Sequence, residues 1–506
     1  MFYATLLQIT LYLLLFLLSI VLFILYKNSL KSLQYWKNKN VPHPKPWPFI
    51  GNLLDLVTLR FTGGICLENL YEQFETPYFG IYIFHYPYLI IKDPELIKSM
   101  LTKDFQHFTD RLFSTDKKYD SLVSNFMFCL QYSEWKWTRS KVTPIFTITK
   151  LKKMLFLMND VADEMIEHIE DELNKGPIDI KDICLKYSMD VIATTAFGSN
   201  GHCFKDEDSA FLAIARQTFH VSWGRFIAQT CLLLAPRAIS LFNLKYFDDK
   251  VTNFIREMSW DALRKRMNST TKRNDMIDVM KQILQENPPK DNTESERDRI
   301  IAQVGTFFSA GFETASAMMS FALYEISMQP DIQNKVREEI NTVLSRYESI
   351  NNEALEDMKY LHMILLETFR KYPVIQFLDR TCTKDYQISN SNVTIDKGTL
   401  LMFPLFGLHY DPQYFPNPKK FDPERFLDEN ESGIDKQFFY LPFGKGPRDC
   451  LGKQFAMQEM KVGLARILSA FEINKCANTP DFLKLTSKGF ITASQQKIEL
   501  LFKKIS

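Results

Sequence analysis

A mainly α-helical fold with a minor β-sheet, preceded by one membrane-spanning helix, is what the sequence predicts, and three observations carry it. Segments 151–174, 300–328 and 355–371 place apolar residues at helical spacing. Segment 78–91 alternates aromatic and β-branched residues as strands do. Residues 1–26 contain no charged side chain, and Leu, Ile, Phe and Val dominate from Leu6 to Tyr26, a run matching the about 20 residues that a bilayer-spanning helix needs.

Lys27, Lys31, Lys37, Lys39 and Lys45 follow that run, and such an excess of cations marks the cytoplasmic flank of a span. A cleaved secretory signal fits less well, because the run is long, lacks a basic start and has no small-x-small site before Lys27. Pro42, Pro44, Pro46 and Pro48 then deny the chain helix and stiffen it toward polyproline geometry. The expected organisation is an anchor over 1–26, a basic and Pro-rich hinge over 27–51 and one domain over 52–506. No Gly/Ser-rich linker or repeat divides the last, and only the polar stretch 287–299 reads as a loop. No later segment is comparably long and uncharged, which argues against a multi-span transporter.

Hydrophobic residues make up 46% of the 506 and charged residues 24%, a balance that excludes a disordered chain and allows a large core. Lys and Arg number 61 against 60 acids, a net charge of +1, which argues against a nucleic-acid partner. The eight cysteines form no Cys-x-x-Cys pair and do not cluster with the histidines, so they read as reduced thiols rather than a zinc site or disulfide framework.

Chemistry concentrates at Phe443-Gly444-Lys445-Gly446-Pro447-Arg448-Asp449-Cys450-Leu451-Gly452, a glycine-rich turn presenting one cysteine ahead of a helix-like run from Lys453. Gly446 and Gly452 let backbone approach something flat, free N–H groups stabilise a thiolate, Phe443 shields the sulfur from water, and Arg448 offers a fork of donors to a carboxylate. Upstream, Ala310-Gly311-Phe312-Glu313-Thr314 sets small residues and an acid beside a hydroxyl inside an apolar helical stretch. Glu367 and Arg370, three apart, share a helix face and can pair; Trp135 and Arg139 stand one turn apart, presenting an indole N–H and a guanidinium on one side.

The cysteine turn resembles the haem-ligand loop of the cytochrome P-450 superfamily, whose pattern Phe-x-x-Gly-x-Arg-x-Cys-x-Gly is matched at every fixed position by Phe443, Gly446, Arg448, Cys450 and Gly452. The other motifs occur in that family's order along essentially the whole chain, and the likeness is greatest to insect microsomal members that oxidise foreign compounds. The resemblance implies the cytochrome P-450 fold, haem b with Cys450 as the axial thiolate of its iron, and Ala310 where the long helix crosses the cofactor. It implies proton delivery by Glu313 and Thr314, propionate donors at Trp135, Arg139 and Arg380, and a structural network of Glu367, Arg370 and Arg425. Two positions depart from the family: Ala315, where relatives often have Thr or Ser, with Ser316 following; and Asp449, expected to point away from the sulfur.

Segments that surround substrate in the resembling family are rich in aromatics here: Phe108, Phe113, Phe126, Phe219, Phe307, Phe377 and Phe490, with Phe105, Phe128 and Phe308 nearby. They imply an apolar pocket for a lipophilic small molecule. The expected reaction inserts one oxygen atom of O₂ into that substrate. Its electrons come from NADPH through a flavoprotein reductase docked near Lys136, Lys141, Lys445 and Lys453, with the domain on the cytosolic side of the endoplasmic reticulum membrane. Two alternatives are a haem-thiolate isomerase or dehydratase working without reductase and a non-catalytic haem sensor; Glu313 and Thr314 argue against both.

Overall fold

The computed structural model describes residues 2–505 except 114, 220–222, 235–241, 270–274, 292, 348, 428–432, 487 and 490, and omits the side chains of 2–9, 11, 18, 21, 22, 25, 219, 223, 233, 234 and 435. The mainly helical class with a small β component is observed. At its centre runs the helix Glu294–Met328, which packs along Ile180–Ile192 and meets Lys453–Ala470 and Lys359–Lys371. Most of its residues are buried, so neighbours cover it on nearly every side.

The helix Ile148–Glu172 lies where apolar spacing places one, burying a stripe that includes Leu151, Leu155, Met158, Ala162, Met165 and Ile169. Two helical expectations are revised. The stretch 287–299 is loop only at its start, because Thr293 caps the long helix by accepting from the Glu296 N–H, and Glu294 and Glu296 favour its positive N-terminal end. Segment 355–371 is two helices, Asn352–Asp357 and Lys359–Lys371, broken at Met358, whose ψ of 73° is not helical.

Segment 78–91 forms an antiparallel hairpin, Tyr78–Ile83 with Tyr86–Ile91. The second strand pairs in parallel with Leu400–Pro404, which pairs antiparallel with Phe377–Thr381. Burial of both faces in the hairpin's second half matches its apolar run. A smaller sheet joins Phe471–Lys475 to Glu499–Lys504.

Residues 2–32 form one helix. Among the described residues no helix is long and apolar enough to cross a membrane, so the structure does not show the anchor expected over 1–26. The following segment is part of the body. Trp36 is buried over Gly80, where an added Cβ would lie 2.4 Å from the indole, and its ring N–H donates to the Ile81 carbonyl at 3.0 Å. The proline stretch is non-helical beside it and closes in a turn over 47–51, with the Pro42 carbonyl accepting from the Gly80 N–H at 2.8 Å.

Candidate active site

The cysteine turn closes on itself: the Cys450 N–H donates to the Phe443 carbonyl at 2.8 Å and the Asp449 N–H to that of Gly446 at 3.0 Å. Gly446, at φ +80°, abuts protein rather than a flat ligand, since an added Cβ would sit 1.9 Å from the Leu101 carbonyl oxygen. Gly452 is the one that opens on the cavity. Cys450, alone among the eight cysteines in being exposed, faces the same cavity. Its accessible surface opens on the cavity, not on bulk solvent, and the protein packed around it pushes its thiol up from the ordinary value, while the Gly452 N–H draws it down, Asp449 adds to the rise, and Arg139 and Arg111 oppose it. Phe443 lines the cavity beside the sulfur and packs edge-on against Phe369 at 4.7 Å.

The helix Glu294–Met328 supplies another wall through Ala310, Glu313 and Thr314. The Thr314 hydroxyl donates to the Ala310 carbonyl at 2.7 Å. Burial pushes the Glu313 carboxyl up to about 7, with Arg225 pulling the other way. Gly311 lines the cavity as well, and helix packing also requires it to be small, because a Cβ there would lie 2.3 Å from Ile192 of the neighbouring helix. Ala315 lines the cavity, whereas the Ser316 hydroxyl is bound to the Glu313 carbonyl at 3.1 Å.

Arg111, Arg139, Arg380 and Arg448 line the same cavity, and Arg111 lies near enough to Arg380 and Arg448 to repel both. The Arg448 guanidinium lies 4.4 Å from the centre of the buried Trp135 ring and donates to the Leu130 carbonyl at 2.9 Å. Among the described residues its Nε and Nη1 have no acceptor, nor do the Nε atoms of Arg111 and Arg380. Burial, reinforced by Arg111, pushes Arg380 down to about 9 and Arg448 down to about 10, and Asp379 and Asp110 offset only part of this. Arg139 is instead bound to Asp449, whose half-exposed carboxylate accepts from it at 2.7 Å. Arg111 escaped the sequence reading; its signal is a lone cation in the aromatic segment 105–113.

Glu367 and Arg370 are fully buried and joined by two bonds of 2.7 and 2.8 Å, with Arg425 Nε 3.5 Å from the carboxylate. Of the expected pocket aromatics, Phe113 and Phe307 line the cavity, as does Phe128. Phe108, Phe126 and Phe377 do not. Phe108 packs edge-on against Tyr386 at 4.9 Å, Phe126 is pressed onto Gly305, and Phe377 sits in the cluster of Phe79 and Met402 on the sheet, so core packing claims all three. Phe490 and the Phe219 side chain lie outside the described residues.

Residues 41–502 match the family model described as Cytochrome P450. The chain belongs to the cytochrome P450 family. Its relatives include cytochrome P450 6k1 of Blattella germanica, 37% identical over 93% of each chain, and cytochrome P450 6j1 of the same species, 35% identical over 92% of each. Probable cytochrome P450 6a14 of Drosophila melanogaster is 34% identical over 97% of this chain and 99% of the relative. As a cytochrome P450 it is a haem-thiolate monooxygenase. The cavity fits that cofactor: buried guanidinium donors without acceptors suit the carboxylates of a haem, and an accessible cysteine shares their cavity.

Proposed function

We propose that this cytochrome P450 is anchored in the endoplasmic reticulum membrane by residues 1–26 and faces the cytosol. It oxidises a lipophilic small molecule with O₂ and NADPH electrons delivered by a flavoprotein reductase. The observation that supports the oxidation of a lipophilic molecule is the cavity itself, with Cys450, Glu313 and Thr314, an arginine cluster and an aromatic wall around one space; the anchor rests on the uncharged apolar run before Lys27. A haem held there, with the Cys450 thiolate as its protein ligand, would supply the oxygen-activating chemistry.

The chain's own residues do the rest. Cys450 would hold the iron, and the Phe443 carbonyl, which accepts the Cys450 N–H, and ring, packed on Phe369, keep the cysteine turn in place. Arg448, Arg380 and Arg111 would neutralise the propionates, and the Trp135 ring packs against the Arg448 guanidinium. Glu313, protonated below about pH 7, holds a proton on the cavity wall, where the Thr314 hydroxyl, donating to the Ala310 carbonyl, leaves its oxygen free to accept. Phe113, Phe128 and Phe307 exclude water and hold the apolar substrate by burial. Lys136 and Lys453 leave cationic charge on the surface around the cysteine turn, suited to an acidic reductase; Lys141 is paired with Glu286 at 2.6 Å.

The absorption spectrum of the dithionite-reduced, CO-bound protein tests the centre. A strongly red-shifted Soret band that disappears in Cys450→Ala supports the ligand assignment, and an unshifted band in the parent overturns it. NADPH and O₂ consumption that depends on added reductase then separates monooxygenation from an isomerase acting alone.

A further inference from the structure

We propose that Gln303 and Thr306 are specificity-determining residues, which lace segment 125–128 to the long helix and thereby fix the aromatic side of the substrate cavity. Gln303, Thr306, Ala310 and Glu313 stand at i, i+3, i+7 and i+10, and all four line the cavity. The buried Gln303 amide donates to the Asn125 carbonyl at 2.8 Å. The Thr306 hydroxyl donates to the Ala302 carbonyl at 3.0 Å and accepts the Met127 N–H at 3.1 Å.

Between these two bonds Phe126 packs onto the helix at Gly305. Gly305 makes room for it, because an added Cβ would come within 2.6 Å of the ring. A turn earlier, the Ser121 hydroxyl meets the Asp298 carboxylate, which Arg256 holds at 2.7 Å. Positions 121, 125, 126 and 127 are therefore pinned in register to 298, 303, 305 and 306. A loop whose backbone groups end on helix side chains takes its position from the helix.

Phe128 follows directly and packs edge-on against Phe113 at 5.2 Å, and Phe113 against Tyr246 at 5.5 Å. The backbone that carries this wall is tied to the long helix through the Gln303 and Thr306 bonds. It follows that the enzyme takes substrates that present a slim, planar or unbranched apolar end to Phe113 and Phe128, and rejects those with bulk there. The inference rests on this cavity being the substrate site.

The test uses the full-length, haem-loaded enzyme and two azole probes, slim 1-phenylimidazole and bulky 1-tritylimidazole, titrated by haem absorbance. Thr306→Val and Gln303→Leu are expected to lower the trityl-to-phenyl ratio of dissociation constants by about fivefold, the equivalent of one hydrogen bond. Thr306→Ser, which keeps the acceptor oxygen, is expected to retain the parent ratio. Amide exchange across 122–128 should quicken in the first two variants only. Ratios unchanged in both Thr306→Val and Gln303→Leu overturn the proposal, as does slow exchange that persists in them. A parent enzyme whose spectrum responds to neither azole overturns the substrate reading of the cavity, and the proposal with it.

Discussion

Arg370 and Arg380 stand ten positions apart and are both removed from solvent, at 0% and 1% exposure, yet their charges are treated in opposite ways. Arg370 is closed: two bonds to Glu367, one to the His409 carbonyl at 2.9 Å and one to the Lys420 carbonyl at 3.3 Å use its donors. Arg380 is open: Nη1 finds only the Asp379 carbonyl at 2.6 Å, Nε has no acceptor among the described residues, and Arg111 repels it. Protein supplies every partner where a buried cation holds the fold, and withholds them where the cation faces a cavity for an anionic ligand.

Glu367→Ala breaks the closed site and has the largest expected effect. It strands Arg370 in the core and costs about 3 to 5 kcal/mol, read as failure to accumulate folded, haem-loaded protein; retention of the parent's denaturant midpoint would contradict it. Next is Glu313→Gln, on the long-helix wall. General-acid catalysis is worth about 10²-fold in turnover at the low end, and the variant should lose that and flatten the alkaline limb of the pH profile. The sign follows from the raised ionisation: the folded protein holds the proton up to about 7, so both turnover and this group's contribution to stability fall as pH rises through that value.

Arg380→Met opens the contrast directly. In haem-free protein the change removes a poorly partnered buried charge and is expected to stabilise by about 1 to 2 kcal/mol, whereas haem dissociates faster. A loss of stability in the haem-free variant would place Arg380 with Arg370 in the closed class. The smallest effect is expected at Asp449→Asn, which removes a partly exposed ion pair with Arg139 worth about 1 kcal/mol or less; urea titration should show a shift no larger than that.

Helices and the hairpin were legible because apolar periodicity is a local property, and the cysteine turn because its fixed residues lie within ten positions. Helix boundaries were less so. The acidic start of Glu294–Met328 looks like a loop until Thr293 is seen to cap it. The pocket aromatics mark the limit most clearly: Phe113 and Phe126 are indistinguishable as residues, yet one lines the cavity and the other fills the space above Gly305.

By itself, then, the sequence determined the helical class, the haem-thiolate chemistry and the pairing of Glu367 with Arg370, since each depends on residues close together in the chain. Tertiary structure alone decided which arginines stand without acceptors, because Arg111, Arg139, Arg380 and Arg448 come from four separate segments and meet only in space. It likewise decided that Gln303 and Thr306 hold a loop in place, for the partner of a buried polar group is set by whatever chain the fold brings within about 3 Å of it.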